Sequence, residues 1–290
     1  MCVPKTKKIK ILVTIIFCLT GLFYSIWQQQ SVVLSAAQII FMNVGQGDSA
    51  LIITSSKQYI LIDGGPDLTV VSKLGGYLPS LNPQIDLMII THAHADHVVG
   101  LVEVIQRYPV KRIIYPGPVD YSDQSYLALL KIIQEKNISL TTTTTGNRYV
   151  FADKSYWQTW QPFIAYHGQR LKDLNESSVV GQYCFQLSCA LFMGDATQST
   201  EKQMLAQKIV NTNQIIKIGH HGSYYSSDQE FLRVVGAKLA VISVGENKFG
   251  HPNPGVLKIL KRLNMNIWRT DLNGDIQAIL NGQTIEINDH

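Results

Sequence analysis

Charge is scarce in this sequence. Only 16% of its 290 residues are charged, against 46% hydrophobic. That excludes a disordered chain, which carries much charge and too little apolar matter to build a core. Cysteine is scarcer still, at four residues, too few for a disulfide scaffold. With 10 prolines and 21 glycines, the chain is not collagen-like. No linker-like stretch divides it, so residues 38–290 read as one domain, long enough to bury a large core.

Net charge is missing from that domain as well. The formal charge is +4, but Lys5, Lys7, Lys8 and Lys10 lie in the first 37 residues, which contain no acid. Without them 21 basic residues face 21 acidic ones. The remainder offers no global electrostatic footprint for a polyanion. A DNA substrate would need a local patch, and Lys217, Arg233, Lys248 and Arg269 are the scattered candidates.

Long apolar runs are lacking except for one. Ile11 to Trp27 is a stretch of seventeen residues without a formal charge. Secretory h-regions run about 7–15 residues and membrane spans about 17–25, so its length fits a short span or a long h-region. Lysines before it and none just after orient the N-terminus inside and the rest outside. Ser35-Ala36-Ala37 is a candidate cleavage site well beyond the run. Residues 1–37 therefore read as a membrane anchor or a signal peptide, and 38–290 as an extracytoplasmic domain.

Cys2 and Cys18 belong to this leader, and the bulky Phe17 argues against a lipid-attachment cysteine. Cys184 and Cys189 form a disulfide only if Gln186 and Leu187 turn a hairpin. One straight strand would put them on opposite faces. Two buried small hydrophobes is the expectation.

The body alternates strands and helices. Gln38–Val44, Ser49–Thr54, Tyr59–Ile62 and Asp86–Thr91 have strand character. Val70–Leu78, Val98–Arg107 and Tyr126–Lys136 have helical spacing. The run Thr141–Thr145 suits an edge strand or a loop. Strands at Val179–Cys184, Ala190–Met193, Gln214–Ile218 and Lys238–Val244 follow, with a helix over Pro254–Leu263. Polar residues collect where apolar strands end: Asp63, the hexad His92-Ala93-His94-Ala95-Asp96-His97, Asp195, and His220-His221. Imidazole and carboxylate donors suit Zn²⁺, Mn²⁺ or Fe.

The hexad matches the H-x-H-x-D-H motif of the metallo-β-lactamase superfamily. Leu61-Ile62-Asp63-Gly64-Gly65 and Gly194-Asp195 resemble two further motifs of that superfamily. More narrowly, NVGQGDSALI, NESSVV, LFMGDA, IGHHGSYYSS, FGHPNPGVL and RTDLNGDI resemble the metal-dependent domain of ComEC-type competence proteins. The likeness runs from about Phe41 to Ile276. It implies an α/β fold, the αββα metallo-β-lactamase sandwich, here preceded by one N-terminal hydrophobic helix.

The resemblance also implies roles. His92 and His94 would bind one metal, Asp96 and His97 a second, and Asp195 would bridge them. His220 and His221 are the candidates to complete the second site; on its spacing from Asp195, His221 resembles the ligand, and His220 would then face substrate, where it stabilises a phosphoryl oxygen or protonates the leaving group. Asp96 and His220 are the residues nearest the chemistry. Asp63 would orient the metal loop. Asn175 stands where many members place a third histidine on the first metal, so that ion would be held weakly and Mn²⁺ would compete with Zn²⁺.

His251 lines the cleft or marks a turn before Pro252, and His167 falls in an unassigned loop. Ser223, with Ser226 and Ser227 behind it, is the candidate phosphate donor. Gly45-Gln46-Gly47-Asp48 lacks the lysine of a phosphate-binding loop. It reads as a tight turn with Asp48 supporting the metal edge.

The expected cofactors are two divalent ions, and the expected activity is phosphodiester hydrolysis, nuclease-like, by a water activated between them. The expected partners are a phosphodiester or other small molecule, DNA included, and the membrane. The alternatives are a phosphorylcholine or teichoic-acid esterase, a lactam or lactone hydrolase, and a non-catalytic DNA-uptake subunit.

Overall fold

Alternation along the first strand sets the layering. In Ala37–Phe41 (β1), Ile39 and Phe41 enter one core while Ile40 enters another, as a pleated strand buried on both faces requires. The computed structural model describes residues 15–22 and 36–288. The chain forms two units, 1–36 and 37–290. In the first, the described residues 15–22 are helical (α1). No helix among the described residues is long and apolar enough to cross a membrane. The lysines at 5–10, the remainder of the apolar run, Ser35 and His290 lie outside the described residues.

The second unit continues with β2 (Ala50–Ile53), β3 (Tyr59–Ile62), α2 (Thr69–Tyr77), β4 (Leu87–Ile89), α3 (Ala95–Arg107), β5 (Arg112–Tyr115), α4 (Gln124–Glu135) and β6 (Ser139–Thr142). Next come β7 (Arg148–Val150), β8 (Tyr156–Gln161), β9 (Val180–Phe185), β10 (Ser188–Phe192), α5 (Gln198–Ala206) and β11 (Ile215–Lys217). It closes with α6 (Gln229–Val235), β12 (Leu239–Ile242), α7 (Pro254–Arg262), β13 (Asn266–Arg269), α8 (Thr270–Asn273), β14 (Ile276–Leu280) and β15 (Ile285–Asn288). One sheet runs β15-β14-β1-β2-β3-β4-β5-β6 and the other β13-β12-β11-β10-β9-β8-β7.

Three cores separate four layers. Ile52, Ile60, Ile89, Trp157, Tyr183 and Phe192 fill the space between the sheets. Leu51, Leu61 and Met88 pack with Val70, Leu101 and Leu129 of α2, α3 and α4. Leu191, Ile216 and Ala240 pack with Met204, Phe231 and Leu260 of α5, α6 and α7. This is the αββα sandwich. Its parallel neighbours matter most for the site: β3 with β4, and β10 with β11 and β12. Parallel strands end on the same side, so the residues after Ile62, Ile89, Phe192 and Lys217 meet at one rim.

Three readings of the sequence change. Helix α3 begins at Ala95 instead of Val98, after an extended His94, so Asp96 and His97 sit in its first turn, where an acidic side chain favours the helix dipole. Strands β7 and β8 were not expected. The polar Gln158 and Thr159 interrupt the apolar run there, yet Trp157 and Trp160 are buried. Cys184 and Cys189 are a disulfide rather than two thiols. Gln186, at φ 54°, and Leu187 turn the β9–β10 hairpin and set the two cysteines opposite each other.

Close backbone approach fixes α3 against the rim. A Cβ at Gly100 would overlap the carbonyl oxygen of Gly64, whereas one at Gly75 in α2 would meet nothing within 4 Å. Gly100→Ala should cost about 1–3 kcal/mol in urea unfolding, the usual range for overpacking. Gly75→Ala should be neutral or stabilise by about 0.5–1 kcal/mol, because alanine loses less backbone entropy. Equal effects would contradict this packing.

Candidate metal centre

The rim is organised by Asp63, which is fully buried at φ 55°. A non-glycine residue in the left-handed region is strained, and three bonds hold it there. Its carboxylate accepts the Thr91 backbone N–H at 2.9 Å and the Thr91 hydroxyl at 2.7 Å. It also accepts Nδ1–H of His97 at 2.8 Å. That bond fixes the His97 tautomer and leaves Nε2 free to act as a ligand. Burial pushes the Asp63 carboxyl up, opposed by the same His97 and Thr91.

His221 is set from the second sheet in the same manner. Its Nδ1 donates to the Ser243 carbonyl at 2.9 Å, which leaves Nε2 free, 3.3 Å from Asp96 Oδ2 and 3.6 Å from Asp195 Oδ2. His97 Nε2 lies 3.4 Å from the same Asp195 oxygen. The Nε2 atoms of His97 and His221 and Oδ1 of Asp195 are buried without a hydrogen-bond partner. Asp96, His97, Asp195 and His221 thus bring one donor atom each within 4.8 Å of one another.

A second group shares Asp195. His92, His94 and Asp195 also converge within 4.8 Å, with His92 Nε2 3.0 Å from His94 Nδ1 and 3.8 Å from Asp195 Oδ2. Thr91 Oγ1 lies 3.0 Å from His92 Nδ1 and orients that ring. Burial would raise the Asp195 carboxyl, but His221 and His97 override it and hold it well below the carboxylate range. Burial would lower His221, but Asp195 and Asp48 push it up to about 10. Burial lowers His92 well below the ordinary histidine value, and His97 adds to this. The acids here raise His97 and His221 above the ordinary histidine value, the mark of a buried negative charge that divalent cations can neutralise.

His220 and His221 part company for a reason other than an extended backbone. Both lie in the left-handed region, at φ 50° and 53°. The tight turn sends His221 inward and leaves the His220 side chain 23% exposed, with Nε2 3.8 Å from Asp195 Oδ2. The His251 ring stands 5.4 Å from that of His220, and its Nδ1 has no partner. Asn175 is buried on a 3₁₀ turn, its Oδ1 unpartnered. Ser223 Oγ accepts the Tyr225 N–H at 3.3 Å. Ser226 and Ser227 hold the loop instead: Ser226 Oγ donates to the Gly219 carbonyl at 2.8 Å, and Ser227 N–H donates to Glu201 at 2.9 Å. His167 is exposed and outside both groups.

Lys217 is not part of a surface patch. It is buried, and its ammonium donates to Asp48 Oδ2 and, at 3.2 Å, to the Gly194 carbonyl. Asp48 Oδ1 faces His221 Nδ1 at 3.4 Å. Arg233 and Arg269 pair with Glu230 and Asp271, and Lys248 is exposed. The one sequence signal for the Lys217–Asp48 pair was a lysine inside the otherwise apolar run Ile215–Ile218. Buried Glu201, which accepts two backbone N–H groups of the loop after His221, carried no signal.

Removing one partner of a buried ion pair strands the other. Lys217→Met should therefore cost about 3–5 kcal/mol in urea unfolding. Lys217→Met combined with Asp48→Asn should cost less than the sum of the single changes. Additive losses would show that the two side chains do not depend on each other.

Residues 42–140 match the family profile described as metallo-beta-lactamase superfamily. The chain is 26% identical over 261 residues to ComE operon protein 3 of Bacillus subtilis (strain 168), covering 84% of this chain and 33% of that protein. It is 25% identical over 258 residues to competence protein ComA of Neisseria gonorrhoeae, covering 87% of this chain and 33% of that protein. It spans about a third of the length of the curated relatives it matches. In fold it is similar to a diphosphatase from the PhnP family, with TM-score 0.50 and 11% identity over 83% of this chain and 96% of that one. Over residues 42–140 the chain is similar to the metallo-β-lactamase superfamily, and over most of its length it is similar to part of the ComEC-type competence proteins.

Proposed function

We propose that residues 38–290 form an extracytoplasmic, metal-dependent phosphodiesterase, held or exported by residues 1–37. The observation that carries this reading is Asp195, one carboxylate shared by two converging donor groups. His92 and His94 would hold one ion with Asp195, and Asp96, His97 and His221 the other. Asn175 would be a weak neutral ligand beside the first. The unpartnered buried atoms of His97, His221 and Asp195 fit this assignment, because buried polar atoms are otherwise paired. The donor set, imidazole with carboxylate, suits Zn²⁺ or Mn²⁺.

Two divalent ions, when bound, supply Lewis acidity and lower the pKa of a coordinated water. The chain does the remainder. Asp63 and the Ser243 carbonyl lock the rings of His97 and His221. His220, on the open side of Asp195, hydrogen-bonds a phosphoryl oxygen and gives a proton at Nε2 to the departing oxygen. His251 narrows the cleft beside it. A complete donor set favours an enzyme over a DNA-binding relic. The paired Arg233 and Arg269 and the buried Lys217 favour substrates recognised by something other than a charge patch.

The chain loaded with Zn²⁺ or Mn²⁺ should hydrolyse bis(p-nitrophenyl) phosphate, and a chelator should stop it. His220→Ala should keep its metal and lose about 10²–10⁴-fold in kcat, the range for a general acid. A loaded chain that leaves this diester intact and opens a lactam or carboxyl ester would overturn the reading.

A further inference from the structure

Exposed aromatic side chains are concentrated beside the metal centre. Among the described residues of 36–288, the exposed aromatics are Tyr224, Tyr225 and Phe249, at 65%, 72% and 74%. Tyr224 and Tyr225 follow His221 on the same loop. The Phe249 ring lies 5.7 Å from that of His251, which in turn lies 5.4 Å from His220. Three large rings left in water at one rim are an unfavourable surface with no bearing on the core.

The backbones beneath these rings are pinned. Gln198 donates from its backbone to the Tyr225 carbonyl at 2.8 Å, and from Nε2 to the carbonyls of Tyr224 and Ser226 at 3.0 and 3.2 Å. Asn247 plays the same part for Phe249. Its Oδ1 accepts the N–H groups of Phe249 and His251 at 3.1 and 3.0 Å, and its Nδ2 donates to the carbonyls of Gly245 and His251. The two loops are joined where Asn253 N–H donates to the Gly222 carbonyl at 2.8 Å. Tyr224 and Tyr225 stand edge to face, 5.6 Å apart. The loops are held while the ring faces stay open, which is a preorganised platform.

We propose that Tyr224, Tyr225 and Phe249 form a stacking subsite that holds unpaired nucleobases flanking the scissile phosphodiester. Stacking suits this rim because it needs no cationic patch, and every base presents a π-face to an aromatic ring. The inference rests on the phosphodiesterase reading and names the part of the substrate that these side chains grip. They are specificity-determining residues and do not touch the reacting atoms.

The test compares two fluorescein-labelled oligomers of eight units, an oligothymidylate and its abasic counterpart with the same phosphates. Both are titrated by anisotropy against the full chain in chelator, where cleavage is absent. The wild type should bind the oligothymidylate about 10-fold or more tightly, since each stacked base contributes about 1–3 kcal/mol. Tyr224→Ala, Tyr225→Ala and Phe249→Ala should each narrow that gap and leave abasic affinity unchanged. Their thermal unfolding should match the wild type, because exposed substitutions seldom shift stability by more than about 0.5 kcal/mol.

Equal affinity for the two oligomers, no binding of either, or a gap that survives all three substitutions would overturn the subsite. Base preference without any diester hydrolysis would leave the subsite standing and remove the phosphodiesterase reading. Hydrolysis without base preference would do the reverse.

Discussion

A buried carboxylate with three hydrogen bonds, two to Thr91 and one to His97, holds the rim together. Asp63 ends β3, yet its oxygens are claimed by Thr91 at the end of β4 and by His97 in the first turn of α3. A buried acid left unpaired would cost several kcal/mol. The chain therefore cannot place Asp63 inside without also placing the loop of the hexad. The strained backbone at Asp63 is tolerated because those bonds over-determine it. Gly100 closes the arrangement by letting the helix backbone approach Gly64.

The second sheet is tied to this rim by polar links rather than by the central core alone. Thr91 accepts the Val179 N–H through its carbonyl at 2.9 Å. Lys217 joins Asp48 of the first sheet to the Gly194 carbonyl of the second, one residue before Asp195. Asp48 in turn faces His221. Each half therefore supplies donors, and Asp48 and Lys217 link the two halves beside them. The donor groups need such links, because their residues follow strands of two sheets that do not pair with one another.

How much the sequence disclosed follows from distance along the chain. The hexad was legible because four donors fall within six residues, after a short apolar strand. Asp63 and Asp195 were legible as acids at strand ends. His220 and His221 were legible only as a pair; it is the left-handed turn, not an extended backbone, that groups His221 with Asp96, His97 and Asp195.

The Lys217–Asp48 pair was hidden, since its members are 169 residues apart and Lys217 read as a surface cation. The disulfide depended on whether two residues make a turn, which spacing does not decide. Strand β8 was missed because its glutamines and threonine interrupt the apolar pattern, and its two tryptophans, three residues apart, enter different cores. The exposure of Tyr224, Tyr225 and Phe249 depends on which loops are pinned outward, and no local pattern announces it.

The proposed function places Asp195 between two ions. Mn²⁺ loading followed by electron paramagnetic resonance addresses it most directly. Two Mn²⁺ per chain are expected, with the broadened signal of a spin-coupled pair that is lost in Asp195→Ala. A single Mn²⁺ per chain with an uncoupled six-line signal, unchanged in Asp195→Ala, would contradict it.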